Sequence, residues 1–176
     1  MSLPDRWASF DPGEDCGWAV WSGHEFVAHG TDKMWELSDA VWAEALAPFG
    51  AAALVAPGID HLQEALEGIS LIILENFSLY PWKLRDGSLD WDEVRTARLI
   101  GSLYSACRIA GWGYEQQPAQ IKERAIAAGA ETLFSYPLRE NRHANDATMH
   151  GVFRIAKDAK EKWADLGQSS WLEPTP

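Results

Sequence analysis

The chain has only two cysteines, Cys16 and Cys107, far apart and in no paired spacing. That excludes a disulfide-stapled scaffold and a zinc-finger frame and points to a reducing compartment. No apolar run approaches the ~20 residues of a membrane span. The opening Met1-Ser2-Leu3-Pro4-Asp5-Arg6 lacks the basic segment and apolar stretch of a secretory leader. The expected location is the cytoplasm, with no membrane partner. Positive charge is scarce in the first half: residues 1–80 hold two basic side chains, Arg6 and Lys33, against 13 acidic ones, whereas residues 81–176 hold 13 of each. With a net charge of −11, the chain cannot grip nucleic acid by a bulk positive field. A basic surface has to be gathered from the second half, from residues such as Lys122, Arg124, Arg154 and Lys157. Repeats and low-complexity segments are absent.

What is present is core material. Of the 176 residues, 47% are hydrophobic and 11% aromatic. That suits a single domain, in which folding buries roughly 70% of the unfolded surface. One domain over residues 1–176 is expected, with about 164–176 as a loose tail. Trp7 to Phe10 reads as a short buried strand ended by the turn formers Asp11-Pro12-Gly13. Cys16 to Ser22 and His24 to His29 read as two more strands joined at Ser22-Gly23, giving an antiparallel meander. Asp39 is placed to cap a helix through Val41, Ala45 and Leu46, and Asp60 one through Leu62 and Leu66. Leu71-Ile72-Ile73-Leu74 is a short unalternating apolar run, as in a central strand covered on both faces, with Glu75 at its carboxyl end.

Asp90 and Glu93 form a capping box opening a helix with Val94, Ala97, Ile100, Leu103, Tyr104 and Cys107 on its stripe, closed by Gly111. Gly113 to Glu115 reads as a strand, and Pro118 opens a helix through Ile121 and Ile126 that Gly129 ends. A last helix is expected from His143 to Trp163, with Val152, Ile155, Ala156, Ala159 and Trp163 buried. Strands first, then strands separated by helices, give an α/β mixed sheet with helices on its faces.

Asp11 and Glu75 each end a strand, so both carboxylates can project from one sheet edge. Asp146 lies on the first turns of the last helix, with His143 three residues earlier on the same face. Two unit charges ~4 Å apart repel by about 4 kcal/mol at an effective dielectric near 20. Acids brought together therefore call for a cation. Oxygen donors suit magnesium, which can activate water and stabilise the leaving oxygen of a phosphodiester.

Four segments in order resemble RuvC-type Holliday-junction resolvases, of the ribonuclease H-like superfamily. Phe10-Asp11-Pro12-Gly13 with Gly17-Trp18-Ala19 is similar to the family's opening strand-turn-strand, and Ile73-Leu74-Glu75-Asn76-Phe77 to its second acidic strand. Pro118-Ala119-Gln120-Ile121-Lys122 resembles its proline-to-lysine motif, and His143-Ala144-Asn145-Asp146-Ala147 its terminal acidic helix. The resemblance implies a ribonuclease H-like fold, in which a three-strand antiparallel meander continues into parallel strands with helices on both faces. It also implies Mg2+-dependent endonuclease activity on branched DNA, with Mn2+ as a substitute. Asp11, Glu75 and Asp146 would bind the metal, His143 would complete the site, and Lys122 would contact the scissile phosphate. A homodimer through the helix from about Asp90 to Gly111 is implied as well. The negative net charge and a segment from Ala125 to Asn141 without the family's glycine- and lysine-rich stretch fit a divergent relative, such as a phage-encoded one.

Arg124, Arg154 and Lys157 are further candidates for DNA contact. Phe77, Tyr80 and Trp82 form an aromatic loop that either stacks on unpaired bases or covers the core. Glu14, Asp15 and Glu115 lie close to the expected site elements. His24, His29, His61 and His150 show no ligand grouping and read as structural or exposed. Two other functions remain open: a nucleic-acid-binding module of the same fold without catalysis, and a nuclease for flaps or other branched DNA. An ATP-binding relative using an Asp-x-Gly turn needs two facing domains, for which the chain is too short.

Overall fold

A computed structural model describes the chain over residues 3–50, 58–76, 91–127 and 142–165, and side chains within these except those of 91–93, 126–127 and 161–165. The three-strand meander consists of β1 (Arg6–Asp11), β2 (Asp15–Ser22) and β3 (Glu25–Lys33). Gly23 turns the chain between β2 and β3 at φ +55, a left-handed conformation that costs glycine little. β3 runs past the expected end at His29, because Gly30, Thr31, Asp32 and Lys33 continue the ladder opposite Trp18, Gly17, Cys16 and Asp15. Backbone pairing extends this edge strand where its side chains give no apolar signal.

α1 (Met34–Leu46) begins directly after β3, which corrects the expected start at Asp39. Its first turn is satisfied from elsewhere. The Glu36 carboxylate accepts the Lys33 N–H at 3.0 Å, and Met34 N–H donates to the Glu14 carbonyl at 3.1 Å. In α2 (Asp60–Leu66), Asp60 is the first helical residue rather than the cap, where its charge still favours the positive end of the helix. β4 (Leu71–Glu75), α3 (Trp91–Ala110), β5 (Gly113–Gln117), α4 (Ile121–Ala127) and α5 (Arg142–Asp165) complete the order. The Asp90–Glu93 capping contact, Gly129, the side chain of Trp163 and the tail beyond 165 lie outside the described residues.

The sheet order is β3-β2-β1-β4-β5, antiparallel within the meander and parallel from β1 through β4 to β5. This is the mixed sheet of the ribonuclease H-like fold, covered on both faces. On one side Ala8, Phe10, Val20, Ile72 and Leu74 meet Leu37, Val41, Leu62, Leu99 and Leu103 of α1, α2 and α3. On the other, Trp7, Ala19, Trp21 and Ile73 meet Ala125, Ala147, Met149 and Val152 of α4 and α5. The α3 stripe is rotated from the expected one: Leu99, Leu103, Ala106 and Cys107 are buried, whereas Tyr104 is 47% exposed. No helix among the described residues is long and apolar enough to cross a membrane.

α5 also buries a different stripe from the one its apolar residues predict. Ala156 is exposed and Ile155 and Ala159 are half-buried, while His150, Gly151, Arg154 and Asp158 face inward. The inward polar groups are paired: Arg154 with Glu115 at 3.1 Å, and Asp158 with His24 at 3.0 Å. Backbone comes very close where α5 meets the sheet. A Cβ on Gly17 would overlap the His143 carbonyl, and one on Gly151 would overlap the Trp21 indole. Ser9 Oγ donates to the Ala147 carbonyl at 2.7 Å and accepts from Trp21 Nε1 at 3.1 Å, fixing the helix in register.

Candidate active site

The alternation of a strand places the first two acids. Trp7, Ser9 and Asp11 share the face of β1 that α5 covers, and Leu71, Ile73 and Glu75 share that face of β4. Phe10 lies beside Leu74 in the parallel ladder, so Asp11 and Glu75 each stand one residue further along neighbouring strands. α5 crosses the same face with its first turns at that edge. The Gly17 contact under His143 and the Ser9 bond to Ala147 bracket Asp146 and hold it there.

Three carboxylates from three elements thus converge, and the Lys122 ammonium from the first turn of α4 sits among them. Its Nζ is 2.7 Å from Glu75 Oε2, 2.9 Å from Asp146 Oδ2 and 3.3 Å from Asp11 Oδ1. His143 Nδ1 lies 2.9 Å from the other Asp11 oxygen. All five residues expected at the site are therefore together, in one cluster at the carboxyl ends of the interior strands β1 and β4.

The electrostatics follow from burial and that shared cation. Asp11 is 8% exposed, and burial raises its carboxyl above the usual range against the lowering by Lys122 and His143. Burial also pushes the Glu75 carboxyl up, but hydrogen bonds from His150 and Lys122 more than reverse this and hold it down to about 2. Burial disfavours the charged Lys122 ammonium, yet its bonds to Glu75 and Asp146 raise it well above an ordinary lysine. Among the described residues no three His, Cys, Asp or Glu side chains are already gathered as a metal cage. The carboxylates are spaced around an ammonium instead.

The architecture has a clear counterpart. RuvC from Thermus thermophilus in complex with a Holliday junction substrate is similar with a TM-score of 0.55, over 94% of this chain and 98% of that one, at 13% identity. A second T. thermophilus RuvC structure gives a TM-score of 0.55 over 93% and 97%, again at 13% identity. The chain has a RuvC-like fold. No family model and no curated protein matches the sequence.

The remaining candidates distribute as follows. Arg124 and Lys157 are exposed, with Lys157 Nζ 3.8 Å from Glu115. Arg154 is 4% exposed and held by Glu115, so its guanidinium is inside the protein rather than on a surface that phosphate could reach. Glu115 is correspondingly engaged in packing β5 to α5. Asp15 pairs with Lys33, and Glu14 lies 3.9 Å from Arg95. Phe77, Tyr80 and Trp82 lie outside the described residues.

The sequence reading missed His150 and Gln117. His150 is fully buried, with Nε2 3.1 Å from Glu75 Oε2 and Nδ1 3.0 Å from Gln117 Oε1. Gln117 is oriented in turn by donating to Glu115 Oε1 at 3.2 Å. His150 thus positions Glu75 from behind. The available signal was spacing: His143, Asp146 and His150 fall three and four residues apart, on one helical face.

Proposed function

We propose that the chain is a divalent-metal-dependent endonuclease that cuts phosphodiester bonds in branched DNA, with the four-way Holliday junction as its first substrate. It acts as a single nuclease domain in the cytoplasm, as a homodimer through α3. The observation that carries the reading is the convergence of Asp11, Glu75 and Asp146 on one cation within 3.3 Å.

The residues present fit magnesium. Their donors are carboxylate oxygens with one imidazole beside them, and the cluster already accommodates a positive charge, with the Lys122 ammonium standing where a hard cation would be drawn. Asp11, Glu75 and Asp146 would hold the metal, with His143 at its margin, and Mn2+ would substitute. When bound, the metal supplies activation of water and charge stabilisation at the leaving oxygen.

The chain's own groups do the rest. His150 and Gln117 keep Glu75 in place, and Ser9 and Gly17 keep Asp146 and His143 at the strand ends. His143 is 44% exposed and its Nδ1 is fixed by Asp11, so Nε2 is the nitrogen left to hold or release a proton. Lys122, drawn to anionic oxygens, binds the scissile phosphate. Arg124 and Lys157 meet the backbone further out, and Phe77, Tyr80 and Trp82 stack on unpaired bases. The T. thermophilus RuvC bound to a Holliday junction substrate supports the choice of junction by shared fold.

The test is nicking of a synthetic four-way junction in magnesium and in manganese. Wild type should cut. Asp11→Asn, Glu75→Gln and Asp146→Asn should each lose cutting while keeping the fold, because an amide is nearly isosteric but does not balance a cation. Binding without cutting in either metal would mark the chain as an inactive module. Full activity in any one acid variant would remove that acid from the site.

A further inference from the structure

A concave feature lies on the opposite face of the sheet from α5, yet at the same strand ends as the carboxylate cluster. It is a cavity of about 280 Å³ between α1 and α3, lined by Met34, Trp35, Ser38, Arg95, Arg98 and Ser102, with Leu99 at its base. We propose that this cavity binds one unpaired nucleotide of a nucleic-acid strand, with the base stacked on Trp35 and its phosphate held by Arg95 and Arg98. The inference rests on the reading of the chain as a DNA-acting protein, and it adds a site to that reading.

Three observations carry it. The first is position. β1, β3 and β4 run in the same direction, so the starts of α1 and α3 lie at the sheet end where Asp11 and Glu75 stand. Met34 N–H bonds to the carbonyl of Glu14, on the turn that follows Asp11. The cavity and the carboxylates therefore lie at the same end of the sheet.

The second is chemistry. Trp35 is 52% exposed at the mouth, although a large indole is ordinarily covered. Two arginines line the same cavity in a chain whose net charge is −11, and guanidinium groups combine bidentate phosphate binding with affinity for flat π systems. The Ser38 and Ser102 hydroxyls, 2.9 Å apart, supply polar groups for a base edge, and Ser102 is fixed by accepting from Trp42 Nε1 at 2.8 Å. An apolar helix would bring no anionic group to the two arginines.

The third is size. Pockets that bury whole drug-sized ligands run from roughly 300 to 1,000 Å³, so this one suits a single base and little more. Glu14, 3.9 Å from Arg95, offsets part of the cationic charge and competes with phosphate.

The experiment is titration of a fluorescently labelled ten-nucleotide thymidine strand into the full chain, followed by anisotropy. It is done in chelator, so the result is independent of whether the protein cuts junctions. Trp35→Ala should weaken binding by roughly 5- to 150-fold, the range for one lost base-aromatic stack, and Trp35→Phe should keep most of it. Arg95→Ala with Arg98→Ala should weaken binding and flatten the log–log salt dependence by roughly 0.7, one phosphate contact on a single strand. Glu14→Gln should tighten it. Circular dichroism of each variant confirms the fold, and substitutions this exposed leave the core alone. Wild-type affinity in both Trp35→Ala and the double arginine variant overturns the proposal. So does a change of particle mass on light scattering with strand binding unaltered, which would assign the cavity to a second protein chain.

Discussion

Replacing Lys122 with methionine in metal-free protein removes the ammonium that three carboxylates share and keeps most of the side-chain volume. Before the change, Nζ lies 2.7, 2.9 and 3.3 Å from Glu75, Asp146 and Asp11. Breaking a buried ion pair from one side costs about 3–5 kcal/mol, because the remaining charge is left uncompensated. Here three acids are left facing one another, but Glu75 and Asp146 are 21% and 24% exposed, so water relieves part of the repulsion. A loss of about 3 kcal/mol at neutral pH is expected. At about 2–4 °C per kcal/mol for a domain of this size, the midpoint of thermal unfolding should fall by about 6–12 °C. Circular dichroism melts in chelator read this directly. Added calcium or magnesium should restore more stability to Lys122→Met than to wild type, because the shared ammonium no longer neutralises the carboxylates. An unchanged or raised midpoint in chelator would show that the three acids are not held together against repulsion, and the cation-centred account of the site would fall.

The Glu75 carboxyl, held down to about 2 in the folded chain against an ordinary 4.5, contributes stability that is full above about pH 4.5 and lost as pH falls through about 2. Urea unfolding between pH 5 and pH 2 should show this acid limb, and Glu75→Gln should flatten it; a limb of equal slope in both proteins would refute the assignment. Light scattering of the purified chain should give twice the monomer mass, and Tyr104→Lys on the exposed side of α3 should halve it. A monomeric wild type would remove α3 as an interface.

The fold was legible where side-chain pattern and backbone demand agree. Asp11-Pro12-Gly13 and Ser22-Gly23 cut the meander correctly, and Leu71 to Leu74 announced a strand covered on both faces. The pattern failed where partners distant in sequence satisfy the backbone. α1 starts at Met34 because Glu36 and the Glu14 carbonyl supply its end contacts, and β3 extends to Lys33 because β2 offers it a ladder. Asp11, Glu75, Lys122, His143 and Asp146 were placed together through strand ends, one helical face and resemblance. Arg154 was misread as a surface contact, and His150, left open as structural or exposed, was not tied to the site, for one common reason. Charge and polarity mark a side chain as exposed only when nothing inside can pair with it, and Glu115 and Glu75 provide that pairing in three dimensions alone.

The two glycine contacts under α5 have a consequence for how this protein can change. At Gly17 the sheet meets the helix backbone itself, and at Gly151 the helix meets the face of the Trp21 ring, so the spacing between the two layers there is not set by matched side-chain volumes. Substitutions can exchange bulk elsewhere in the core while these stops keep the helix at one height and one rotation over the strand ends. The relative placement of Asp11, Glu75 and Asp146 is thereby uncoupled from most of the sequence. A frame built this way can accept substitutions across the core without moving its acidic corner.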